Sequence, residues 1–283
     1  MISMKKYLSI ILLLLIAGLR SNAQSEVQFT LKMMPNRTYS SNIKMNMDME
    51  MNYGGDSAVV KKMKASGAGM PMLLQTETAT TAEIKTGALT AANDFPFTMD
   101  LKQMAAKSTM NGKDLPSGVT GTNQTMSGVY TADGKMDIQS ISGTTMTAAM
   151  KESMTKMVKN IMGAIEFPDK AMKPGDTFTQ DMPFDMPLPG MTPKMLMKAT
   201  YKLIDIQAGK ANFDLAFVMT VNALPTMSMN GTGGGKMVYD IASSYPTSTV
   251  QNMNITYDMA IPQQQMHLNG KMKMMIDQQS VVK

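Results

Sequence analysis

Ile43-Lys44-Met45-Asn46-Met47-Asp48-Met49-Glu50-Met51-Asn52-Tyr53 puts an apolar side chain on every odd position and a polar one on every even position. A two-residue period sends the two sets to opposite sides of an extended chain, so this stretch predicts a β-strand with one oily and one wet face. The same alternation returns in the second half of the chain. Met195, Met197, Ala199, Tyr201 and Leu203 lead to a glycine-containing turn at Gln207 to Lys210, and Ala211, Phe213, Leu215, Phe217, Met219 and Val221 return from it. That is a hairpin pattern. Further strands are expected at Lys236 to Ile241, Gln251 to Ile261 and Gln265 to Ile276. Short connections between alternating strands imply an antiparallel sheet with one covered face. In the first half, Thr125 to Tyr130 and Met136 to Ile141 flank Thr131-Ala132-Asp133-Gly134-Lys135, where Asp-Gly favours a tight hairpin turn.

One motif occurs twice. Met33-Met34-Pro35-Asn36-Arg37-Thr38-Tyr39-Ser40 and Met172-Lys173-Pro174-Gly175-Asp176-Thr177-Phe178-Thr179 share a Pro-centred corner followed by Thr-aromatic-hydroxyl. Proline presets the first corner of a turn, and Asn36 or Gly175 tolerates positive φ at the second. The repeat suggests two related β halves, 24–144 and 167–283, forming one domain. Between them the period changes: Met146, Met150, Met154, Met157, Ile161 and Ile165 recur every three or four residues. This is the stripe of an amphipathic connecting helix over 145–166. The expected architecture is mainly β (α+β), a curved antiparallel sheet or half-barrel with that helix across its concave face. The proline-rich run Met182 to Pro193 reads as a loop, edge or lid.

The N-terminus has the organisation of a secretory signal. Lys5 and Lys6 precede an apolar run from Leu8 to Leu15, and Ser21-Asn22-Ala23 offers small residues for cleavage after Ala23. The run is shorter than the roughly 20 residues of a membrane span. A soluble periplasmic or secreted product with no transmembrane segment is expected. There is no cysteine, so neither disulfides nor thiol chemistry nor a lipid-anchoring cysteine is available. The net charge of +5 falls to +2 once Lys5, Lys6 and Arg20 are removed. The remaining lysines are interspersed with acids, which argues against a nucleic-acid surface. Lys61, Lys62 and Lys64, the densest basic cluster, read as a solvated loop.

Signals for catalysis are weak. Gly231-Thr232-Gly233-Gly234-Gly235-Lys236 has Asn230 and Met237 where a phosphate loop needs Gly and Ser/Thr, and reads better as a flexible hairpin loop. His267 is the single histidine, on the polar side of an alternating strand. The carboxylate pairs Asp48/Glu50 and Asp181/Asp185 have no partner base or metal ligand nearby in sequence. The chain therefore reads as a non-enzyme without cofactor.

What remains is methionine, 37 of 283 residues, spread over every expected element. Thioethers are soft ligands, so Met45, Met47, Met49 and Met51 form one candidate site for Cu(I) or Ag(I). Their even distribution along the chain favours another use, an adaptable apolar lining for a core or cavity. The expected lining is Met45, Met47, Met49, Met51, Met150, Met157, Met197, Phe213, Phe217 and Met259. Its ligand would be a lipid or a lipidated partner. A structural envelope protein with no ligand is the third reading.

Phe167-Pro168-Asp169-Lys170-Ala171-Met172-Lys173-Pro174-Gly175-Asp176-Thr177-Phe178, with Tyr201-Lys202-Leu203-Ile204-Asp205-Ile206 and Gly209-Lys210-Ala211, resembles a secreted Bacteroidota family with a domain of unknown function. The resemblance covers the second half well and the first weakly. It implies an architecture similar to periplasmic lipoprotein-carrier half-barrels, and it carries no catalytic residues over. Asp56-Ser57-Ala58 is similar to the O-glycosylation acceptor of that phylum, which would place a glycan on Ser57.

Overall fold

The computed structural model describes residues 26–55, 58–65, 69–115, 123–142, 165–185, 194–221, 226–261 and 265–283. Twelve strands among them form one antiparallel sheet. They are β1 (Thr38–Gly54), β2 (Met72–Thr86), β3 (Phe95–Met110), β4 (Lys113–Asp114), β5 (Asn123–Tyr130), β6 (Met136–Ser142), β7 (Thr177–Asp185), β8 (Lys194–Gln207), β9 (Lys210–Val221), β10 (Met227–Asp240), β11 (Tyr245–Ile261) and β12 (Met266–Val282). A short helix, α1 (Ala58–Ala65), follows β1. The order across the sheet is β6-β5-β3-β2-β1-β12-β11-β10-β9-β8-β7, with β4 added to β3, so the sheet is open and β6 and β7 are its edges. The first and last strands lie side by side at its centre. They run in register from Tyr39 opposite Val282 to Gly54 opposite His267.

The repeated motif folds the same way twice. Asn36 and Gly175 both take positive φ, at 56° and 98°. In one copy Asn36 N–H donates to Gly87 O and Arg37 O accepts from Thr86 N–H; in the other Gly175 N–H donates to Leu203 O and Asp176 O accepts from Leu203 N–H. Each turn thus feeds its strand, β1 or β7, onto the strand beside it.

Directly paired residues of an antiparallel sheet share a face, so the register sorts the side chains. One face carries Tyr39, the odd-numbered methionines of β1, Phe213 and Tyr201. Residues 26–37 lie across one end of this covered face as a strap. Val27 pairs with Met172 through two backbone hydrogen bonds of 2.9 Å, and Tyr239 donates its hydroxyl proton to Thr30 O. Phe29 stacks on Phe167 at 5.4 Å and meets Phe213 and Tyr239 edge-on, all in one cluster with Met172, Leu203 and Met237. Farther along, Leu31 and Met33 join a second cluster with Tyr39, Ile84, Phe95, Phe97, Met99 and Met126. The strap ties the two halves of the sheet together by burying apolar surface in both.

Two expectations change. Gly231 to Lys236 is the middle of β10, not a hairpin loop. The reason is steric: a Cβ on Gly233 would lie 2.2 Å from Asn252 O, and one on Gly235 would lie 2.1 Å from Val250 O, so β10 and β11 approach more closely there than any side chain allows. Lys61 and Lys62 are exposed on α1 rather than in a loop. Of the run Met182 to Pro193, Met182 and Pro183 belong to the edge strand β7, one of the places expected for it, where a missing N–H is tolerated. The connecting helix expected over 145–166, with Met150 and Met157, and the glycan acceptor Ser57 lie outside the described residues, apart from Ile165 and Glu166. Ile165 packs against the Phe29 cluster.

Candidate functional site

Beyond the strap, the covered face is lined by methionine. Met47 of β1, Met274 of β12 and Met253 of β11 are direct cross-strand neighbours. One row farther from the strap, Leu74, Met49, Met272, Ile255, Gly231, Met219 and Met197 form an unbroken line over seven strands. The next rows run Met51, Gly270, Tyr257, Met229 and then Tyr53, Leu268, Met259, Met227. Alternation within each strand decides that these side chains point one way. Pairing brings them together.

Burial is graded along this surface. Met195, Met219, Met227, Met229 and Ile255 are buried together, with Met253, Met259 and Met272 partly buried beside them. On the central strands Met45, Met47, Met49, Met51 and Met274 are half-buried. On β2 the lining turns polar: Thr78 faces Met45 and Thr76 faces Met47. The surface is therefore an apolar band with a hydroxyl margin on one side and a filled core on the other.

Tyr257 crosses the band. It sits opposite Gly270, and its hydroxyl donates to Glu50 O at 3.2 Å, spanning from β11 over β12 to β1. A Cβ on Gly270 would lie 1.9 Å from that same carbonyl and 2.7 Å from the Tyr257 hydroxyl, so only glycine lets the ring lie there. Burial, and secondarily the Glu50 charge, push the Tyr257 phenol above its ordinary pKa.

The expected site residues separate. Met45, Met47, Met49 and Met51 share the band with Met259 and, at its far side, Met197. Phe213 (1% exposed) and Phe217 (5%) belong instead to the cluster that the strap seals. Met253, Met272 and Met274 complete the band; their alternation was visible in the sequence, but not which strands they would face.

The opposite face is a solvated polar ladder. Lys271 Nζ lies 2.9 Å from Glu50 Oε2, Gln75 donates to Asp48 at 3.0 Å, and His267 Nε2 is 2.8 Å from Asp258 Oδ1, all at the surface. A shallow depression of about 290 Å³ is lined by Asn230, Thr232, Asn254, Thr256, Lys271 and Lys273 of this face together with Gly231, Ile255 and Met272 of the methionine row. Among the described residues, no three His, Asp or Glu side chains converge to hold a metal ion. Nor is any helix among them long and apolar enough to cross a membrane. No protein-family model matches the chain, and no curated protein matches it.

Proposed function

We propose that this chain is an exported cell-envelope protein that works by binding, and that the methionine-lined part of its covered face takes an apolar ligand, a lipid or a lipidated partner. The observation that carries the reading is the contrast along one face. Aromatic residues close the strap end, while the central methionines, continuous across β1, β12 and β11, stay half-buried. Methionine is flexible and polarisable, so such a surface adapts to apolar partners of varied shape. The resemblance to lipoprotein-carrier half-barrels and the signal-like N-terminus point the same way.

Native mass spectrometry of the mature protein, isolated gently from its host envelope, tests this. A co-purifying lipid-sized mass is expected, and it should be lost in Met49→Lys and Met272→Lys variants that keep the wild-type circular dichroism. A bare chain that also fails to take up a fluorescent fatty acid would refute the reading.

A further inference from the structure

We propose a soft-metal site for a monovalent ion, Cu(I) or Ag(I), formed by the thioethers of Met47, Met274 and Met253 on three adjacent strands. This goes beyond the apolar-ligand reading and does not rest on it. The sequence offers Met45, Met47, Met49 and Met51 along one strand, but same-face residues of a strand stand about 7 Å apart. Directly paired residues of neighbouring strands have Cβ atoms only about 5 Å apart. Met47 faces Met274, and Met274 faces Met253, so Met274 has a thioether at the shorter spacing on each side, while Met47 and Met253 stand two strands, about 10 Å, apart. Each side chain has three rotatable bonds, and its sulfur lies two bonds past Cβ, so Met47 and Met253 would lean inward over Met274 to share one ion. Met45 does not belong to such a set, since it faces Ile276 and Thr78. Met49 and Met272 add two sulfurs in the adjoining row.

The donors select the ion. Thioether sulfur is soft and neutral, which favours Cu(I) and Ag(I) over Zn²⁺, Ca²⁺ or Mg²⁺. Neutral ligands do not offset the ion's charge, and desolvating a second positive charge on a half-buried apolar face would be far more costly than desolvating one. The three residues are neither exposed nor sealed in, so an ion has a route to them.

The test is anaerobic titration of the full mature chain with Cu(I) against a chromophoric Cu(I) chelator, together with X-ray absorption of the copper-loaded wild type. One equivalent withdrawn from the chelator is expected, with only sulfur in the first shell. Single changes Met47→Leu, Met253→Leu and Met274→Leu should each weaken binding by roughly tenfold or more. A Met70→Leu/Met275→Leu control, changed at two exposed methionines outside the row, should bind as wild type does. Nitrogen or oxygen in the first shell, or unchanged affinity in all three single variants, would overturn the site. Fatty-acid uptake measured on the same proteins separates the two readings. Uptake without copper binding by the wild type defeats only the metal site, and copper binding without uptake defeats only the apolar-ligand reading.

Discussion

Two residues show how single side chains set the properties of this sheet. Tyr201 is buried in the strap-side cluster, stacked at 4.6 Å on Phe178, and burial pushes its pKa up from 10.0 to about 12. A phenol that holds its proton more tightly when folded contributes stability that is complete below the unfolded pKa and is lost as pH rises through the folded one. Denaturant midpoints should therefore be insensitive to this group below pH 10.0 and fall from there toward about pH 12. Tyr201→Phe should flatten part of that alkaline limb, which phenolate absorbance and chemical denaturation at stepped pH can follow. Gly270 acts through its missing side chain. Gly270→Ala forces a methyl group onto Glu50 O and the Tyr257 ring, and overpacking of this kind costs about 1–3 kcal/mol. The urea midpoint should drop accordingly, and an unchanged midpoint would mean that the β1–β12 seam relaxes freely.

Among the elements, the strap matters most. Phe29 is 2% exposed and touches three other rings, so Phe29→Ala should cost about 3–5 kcal/mol. The loss should appear as faster proteolysis near residues 26–37 together with a lower melting temperature. Stable melting with proteolysis confined to the strap would show instead that it docks independently of the sheet. The hairpin of β8 and β9 was legible in advance because alternation and turn chemistry coincide, with Ala208 and Gly209 at φ 49° and 76°. The strap was not. Val27, Phe29, Leu31 and Met33 alternate with Gln28, Thr30 and Lys32, which marks an extended segment with one apolar side but does not say which two clusters that side bridges. The glycine run of β10 misled for a related reason: glycine signals a loop by itself, and a close approach of strands only when the partner is known.

At the scale of the whole molecule, the halves meet at the β1–β12 seam, where Ser41 and Ser280 share a buried hydrogen bond of 2.8 Å and Thr38 and Lys283 exchange two backbone bonds of 2.9 Å. A seam this continuous, crossed by one strap, should make unfolding a single cooperative transition. Tyrosine fluorescence and far-ultraviolet circular dichroism should then give coincident urea curves, and two separated transitions would show that the halves are independent units. The sequence by itself determined the β class, the facing of side chains along the strands whose alternation it shows, the turn geometry at Asn36 and Gly175, and the methionine character of one face. These follow from local rules, because alternation and backbone preference act over a few residues. Only the tertiary structure decided that β1 and β12 pair at the centre of the sheet, that residues 26–37 close one end, and that Met274 stands between Met47 and Met253. Pairing between residues more than two hundred positions apart depends on which apolar faces bury one another best, and no local pattern encodes that choice.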